Sequence, residues 1–152
     1  MMHVTSDLEV HRPAAEVFGF VADAENNPRW QQGMRSCRWT TPPPIGVGSV
    51  YEQHASFLGR EITSTFEVVR FEPHRLITIR TIASTFPIEV TRSVTALDAE
   101  RCRVSADVRG EPAGVFRIAM PLLRRMVQRS VRTDYRRLRA LLEHGTEGLR
   151  SP

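Results

Sequence analysis

The residues of this chain that could carry chemistry are few and scattered. Its histidines are His3, His11, His54, His74 and His144. No His/Cys cluster has the spacing of a metal site, so no metal is expected. No Gly-rich loop follows a strand-like run, and no cofactor is expected either. His11, His74 and His144 fall at element ends, where solvation is the simpler role. His54 lies mid-strand beside Tyr51 and Glu52. Facing a cavity, it would act as a general base or orient a ligand, with Tyr51 also able to move a proton. Facing solvent, it would do neither. His54 and Tyr51 are the catalytic candidates, and no acid/base constellation surrounds them. Cys37 and Cys102 have no basic neighbour in sequence to activate a thiolate, and they read as small strand residues.

Three polar residues fall on strand faces that otherwise read as buried: Ser64, Thr81 and Arg92. A buried Ser or Thr commonly bonds to backbone. A buried Arg must be paired or solvated. Arg92 would meet a carboxylate such as Glu52 or an anionic group of a ligand, unless a local bulge turns it outward. Arg137 follows Asp134 by three residues, the spacing of a helical ion pair. Trp30 either forms part of a cavity wall or pins a short helix.

The chain of 152 residues suits one domain. Its 41% hydrophobic and 25% charged content is ordinary for a globular protein. No apolar run approaches the ~18 residues of a membrane span, and the N-terminus lacks the basic and apolar regions of a secretory signal. Two cysteines do not make a disulfide scaffold, so a cytoplasmic location is the default expectation.

All 21 basic residues are Arg, and the net charge of +4 is unevenly spread. Residues 1–114 hold 12 Arg against 14 acids, whereas residues 115–139 hold 8 Arg against Asp134 alone. In that second stretch Arg125, Arg129, Arg132, Arg136 and Arg139 form a stripe at helical spacing. The stripe could approach phosphates or anionic lipid head groups as a peripheral membrane contact, or be a solvated outer face. Nucleic acid is not expected as a partner.

The elements that must position these residues follow from periodicity. His3 to Val10 reads as a first strand. Arg12-Pro13 opens a short helix burying Val17, Phe18, Phe20 and Val21, and Asp23 can cap a second through Trp30. Ser36 to Thr40 reads as the next strand, and the prolines of residues 41–48 make a stiff loop. A meander follows over 49–57, 60–70, 75–83, 86–97 and 101–110. Within it Cys102, Val104, Ala106 and Val108 share a buried face, as do Ile62, Ser64, Phe66 and Val68. Ile77, Ile79 and Thr81 share another, as do Ile88, Val90, Arg92 and Val94. From Val115 to Glu143 the pattern is that of a long amphipathic helix, about 40 Å at ~1.5 Å per residue. Val115, Ile118, Ala119, Leu122, Met126, Ser130, Thr133 and Leu141 mark its apolar side. Met120-Pro121 predicts a kink or a late start. Residues 145–152 read as a loose tail after a single domain over 1–144.

This is an α+β architecture, in the order β-α-α-β-β-β-β-β-β-α: a seven-stranded antiparallel sheet curled around a long C-terminal helix. One helix cannot fill so wide a concavity, which leaves an apolar cavity able to take a small hydrophobic ligand. Its expected lining is Trp30, Ser64, Phe66, Ile79, Thr81, Ile88, Val90, Arg92 and Val104, with Phe116, Met120, Leu123, Met126 and Val127 from the helix.

The chain also resembles a known family. Pro13 to Asp23, Asn27-Pro28-Arg29-Trp30, Gly46-Val47-Gly48-Ser49, Gly59-Arg60, Phe66 to Pro73 and Leu138 to Glu143 are similar to the helix-grip fold of the START-like (SRPBCC) superfamily. That superfamily takes in polyketide cyclases, lipid-transfer proteins and the birch-pollen allergen. The resemblance implies a hydrophobic ligand of lipid, polyketide or aromatic type, held by a carrier or sensor without catalysis. The alternatives are a polyketide cyclase or dehydratase, and an assembly or membrane-proximal factor using the Arg stripe. The last resembles the family's carbon monoxide dehydrogenase assembly proteins or its ubiquinone-binding members. The implied strand order places the first strand between those of Cys37 and Cys102. Two spacings of ~4.8 Å then put them near 10 Å apart, beyond the ~7 Å reach of a disulfide.

Overall fold

The computed structural model describes residues 1–57, 59–84, 87–111 and 115–144, with the backbone alone at Val115 and Phe116. Seven strands form one antiparallel sheet: β1 (Met2–Val10), β2 (Met34–Trp39), β3 (Val50–Phe57), β4 (Arg60–Glu72), β5 (Leu76–Ala83), β6 (Ile88–Ala96) and β7 (Cys102–Gly110). Between β1 and β2 stand helix α1 (Ala14–Ala22) and a 3-10 helix (Ala24–Arg29). After β7 come one turn of helix, α2 (Val115–Ile118), and the long α3 (Met120–His144). This is the helix-grip arrangement that the element order predicts.

The strands from β2 to β7 pair consecutively, while β1 crosses to pair with β7, giving the order β1-β7-β6-β5-β4-β3-β2. Cys37 in β2 and Cys102 in β7 therefore have β3 to β6 between them, not β1 as expected. Both are buried free thiols. The first and second strands lie at opposite edges because α1 and the 3-10 helix carry the chain from one to the other.

Strand curvature has a local cause. The register of β4 against β5 shifts twice, at Thr65/Phe66 and at Val68/Arg70, and such irregularities bend and twist a strand. Gly33, with φ +81°, holds the chain against β3 before β2 begins. A Cβ there would lie 2.7 Å from the Ser56 carbonyl oxygen, so the close approach needs glycine.

The local helix signals hold. Asp23 caps the 3-10 helix by accepting the Glu25 N–H at 3.1 Å. Pro121 sits in the first turn of α3, where its missing N–H is harmless, so regular helix starts late, after a break at Ala119.

The buried side of α3 differs from expectation. Leu123, Tyr135, Leu138 and Leu142 are buried, with Met120, Val127, Val131 and Leu141 packed against the core. Ile118 (86% exposed) and Leu122 (62%) face outward. The break between α2 and α3 accounts for this. Counting one unbroken helix from Val115 sets the apolar face about one residue, or ~100°, out of phase. The C-terminal end is fastened to the start of α1: Arg12 Nε donates to the Leu142 carbonyl at 2.8 Å and the His11 N–H to the Glu143 carboxylate at 2.8 Å.

Candidate functional site

Strand parity directs alternate residues of β3 and β4 into the concavity. In β3 these are Tyr51, Gln53, Ala55 and Phe57; in β4 they are Ile62, Ser64 and Phe66, each opposite its neighbour in register. Toward the hairpin joining these strands, α3 does not fill the space. A hollow of about 180 Å³ remains, lined there by Gln53, Ala55, Phe57, Ile62, Ser64 and Phe66. Met2, Ile88 and Val108 close the far side, Val127 comes from α3, and Ser84 completes the wall. Most of this lining is apolar. Its polar groups are the Gln53 amide and the hydroxyls of Ser64 and Ser84, which bond each other at 2.7 Å.

A second feature lies deeper in the core. Arg92, on β6 between Ile77 and Ala106 in register, is only 8% exposed. Its Nη1 donates to the Val21 carbonyl at 3.3 Å and to Asn27 Oδ1 at 3.2 Å. Its guanidinium carbon lies 5.2 Å from the centroid of the Trp30 ring, a cation–π contact. Trp30 in turn meets Tyr135 of α3 edge-on at 4.9 Å. Arg92 thus sits where the sheet, the two short helices and α3 converge. The expected partner Glu52 lies on the outer face and pairs with His54 instead.

Several buried polar atoms around this point have no partner among the described residues: Arg92 Nε, Trp30 Nε1, Gln31 Nε2, and the hydroxyls of Tyr51 and Tyr135. The first three can only donate, and a tyrosine hydroxyl can do both. Burial raises the pKa of Tyr51 and of Tyr135, against the opposing pull of Arg92, so both hydroxyls keep their protons at neutral pH. Burial also pushes the Cys37 thiol up to about 11, partly offset by Asn27 and Arg92. Asp134 is raised to about 6, again by burial, although it accepts the Gln32 N–H at 3.0 Å. That bond replaces the expected ion pair with Arg137.

The hollow and the donor cluster are neighbours. Phe66 lines the hollow and stacks on Tyr51, centroids 5.1 Å apart and planes 10° from parallel. Gln53 lines it too, and its Oε1 accepts from Cys37 Sγ at 3.8 Å. Cys37 Sγ accepts from Asn27 Nδ2 at 3.8 Å, and Asn27 Oδ1 accepts from Arg92.

Of the residues singled out in sequence, Ser64, Phe66, Ile88 and Val127 line the hollow. Ile79, Val90, Val104 and Leu123 are packed core, and Trp30 is buried with Arg92 and Tyr135. Thr81 spends its hydroxyl on the backbone of Ile88, accepting its N–H at 3.0 Å and donating to its carbonyl at 3.3 Å. Met120 packs on the core. Met126 does not line the hollow and is 36% exposed, a consequence of the shifted helix phase. The side chain of Phe116 lies outside the described residues. Tyr51 points inward, whereas His54 is exposed on the outer face, bonded to Glu52 at 2.8 Å and to Thr63 at 3.2 Å. Gln53, Ala55 and Phe57 were missed, although their parity with Tyr51 would have found them. Met2 and Ser84 carry no comparable local signal.

The stripe residues Arg125, Arg129, Arg132, Arg136 and Arg139 are exposed and form no ion pair with any described residue. Arg132, Arg136 and Arg139 face Thr5 to Leu8 of β1 across an open groove. No helix among the described residues is long and apolar enough to cross a membrane, and no group of three metal-ligating side chains occurs among them.

Comparison with known proteins agrees with the architecture. A family model described as polyketide cyclase/dehydrase and lipid transport matches residues 1–143. No curated protein sequence is a significant match. Among solved structures, the protein TTHA0849 from Thermus thermophilus superposes with a TM-score of 0.79 at 16% identity, covering 98% of this chain and 99% of its own. A START superfamily protein from Mycobacterium smegmatis gives 0.73 at 19% identity, covering 98% and 99%. The Zhui aromatase/cyclase from Streptomyces gives 0.71 at 20% identity, covering 94% and 96%. At such identities these likenesses establish the fold alone.

Proposed function

The chain belongs to the polyketide cyclase/dehydrase and lipid-transport family, and we propose that it binds a small hydrophobic ligand in the hollow between β3, β4 and α3, as a carrier or sensor without catalysis. The observation that carries this reading is the 180 Å³ space itself, bounded mainly by apolar side chains. An engineered apolar cavity of ~150 Å³ in another protein admits benzene, whereas drug-sized ligands occupy ~300–1,000 Å³. The hollow therefore suits one substituted aromatic ring or a short branched chain. A long acyl chain or a fused-ring ligand requires its mouth to widen.

One observation favours a second reading, an enzyme of the polyketide cyclase or dehydratase type. Two protonated tyrosine hydroxyls beside a buried guanidinium are suited to polarising a carbonyl. Against it stands His54, which faces solvent and cannot serve as the base. Native mass spectrometry of gently purified protein tests the carrier reading, with a co-purifying apolar molecule as the expected result. Delipidated protein should then take up an environment-sensitive aromatic probe at one saturable site. Absence of both would overturn the reading.

A further inference from the structure

Resting on that reading and deepening it, we propose that the donor cluster around Arg92 is a subsite for the oxygen-bearing end of the ligand. The ligand class is then an aromatic or branched-chain acid, or its enolate, with its apolar body in the hollow and its charged oxygen at Arg92, Tyr51 and Tyr135.

The argument begins with charge. A buried guanidinium is stable only if its charge and its N–H groups are answered. Arg92 has two neutral acceptors, both on Nη1, and forms no ion pair with any described residue. Its clamp on Val21 and Asn27 leaves Nε buried and unpartnered. Asp134 is near enough to feel Arg92, but its oxygen is taken by the Gln32 N–H.

The second observation concerns the neighbours. The hydroxyls of Tyr51 and Tyr135 are buried and unpartnered, and both are subject to the field of Arg92. They arrive from β3 and α3, so the donors converge from separate elements. Donors of this kind around one cation fit a carboxylate or enolate oxygen, because hydrogen bonds to a charged acceptor are the strong ones.

The third observation is position. The hollow is separated from the cluster by the Phe66–Tyr51 stack and by Gln53. The polar link across that wall, Cys37 Sγ to Gln53 Oε1 at 3.8 Å, is a thiol bond, among the weakest in proteins. Turning Gln53 aside therefore sacrifices little and joins the two spaces.

Calorimetric titration with 4-phenylbutanoate and with n-butylbenzene tests the proposal, using wild type, Tyr51→Phe and Arg92→Met. The wild type is expected to bind the acid about tenfold more tightly than the hydrocarbon, the scale of one charge-assisted hydrogen bond. Tyr51→Phe keeps the ring and its stack, and should reduce the preference severalfold; Arg92→Met should abolish it. Hydrocarbon affinity should stay unchanged in both. Equal affinity of wild type for the two probes, or a preference that survives both substitutions, would overturn the subsite and leave Arg92 a structural clamp. Failure of both probes to bind wild type would be a failure of the cavity reading itself, and the subsite would fall with it.

Discussion

The Arg92 guanidinium carbon lies 5.2 Å from the Trp30 ring centroid while its Nη1 bonds to Asn27 and to the last turn of α1. One side chain from the centre of the sheet thus holds both short helices down. Arg92→Met keeps an unbranched apolar stem but removes the donor, leaving Asn27 Oδ1 and the Val21 carbonyl without it. Orphaned buried acceptors cost about 1–3 kcal/mol, so the melting temperature should fall by at least ~2–4 °C in a domain of this size. Thermal unfolding followed by circular dichroism measures this, and an unchanged midpoint would refute the clamp.

Asp134 makes stability depend on pH in an uncommon direction. Burial raises its carboxyl from 3.8 to about 6 in the folded protein. Below the unfolded value the group is protonated in both states and burial carries no charge penalty. Between 3.8 and about 6 the unfolded chain ionises first, so this residue's contribution to stability is lost as pH rises through that window. Asp134→Asn removes the charge and keeps an oxygen for the Gln32 N–H. It should raise the melting temperature at about pH 8 by roughly 3 °C, with the gain vanishing below about pH 4. A gain of the same size at both pH values would contradict the assignment.

How far the sequence could be read depended on how local each signal was. Alternation in β7 put Cys102, Val104, Ala106 and Val108 on the buried face, and the structure agrees. The same parity brought Arg92 inside without identifying its partners, because Asn27 and Val21 lie more than sixty positions away in the chain. Helix phase failed for a physical reason. Two residues, Ala119 and Pro121, interrupt the periodicity, and counting across them exposed the wrong stripe. The crossover of β1 to β7 was equally hidden, since pairing across the whole chain has no turn to announce it. Which part of the concavity stays empty is a matter of summed side-chain volumes from several strands and α3. No single stretch of sequence records that sum.

The two thiols should be inert in the native state. Burial pushes Cys37 and Cys102 up to about 11, and the thiolate is the reactive form. Iodoacetamide at about pH 8, below both values, should leave the folded protein unmodified and alkylate both positions once denaturant is added. Mass spectrometry of tryptic peptides gives the answer. Rapid native labelling of Cys37 would show that its burial against Asn27 and Gln53 is only transient.

His54 should be dispensable. Its ring bonds to Glu52 and Thr63 on the outer face, a solvent-exposed pairing of the kind that contributes ~0–1 kcal/mol. His54→Ala should leave ligand affinity unchanged within twofold and the midpoint within about 2 °C. A large loss of binding would place the histidine in a site that the folded chain does not give it.

Ala55 is the residue through which the hollow can be tested most directly, because it lines the space with the smallest apolar side chain there. Ala55→Leu should fill part of the hollow without a new polar group, and filling a cavity commonly adds about 0.5–2 kcal/mol to stability. Calorimetric titration of n-butylbenzene into wild type and Ala55→Leu, with melting temperatures measured alongside, is the deciding measurement. Saturable binding at one site by wild type, lost in a variant that melts at a higher temperature, is the predicted result. Binding absent from wild type, or equally strong in the filled variant, would contradict a ligand between β3, β4 and α3.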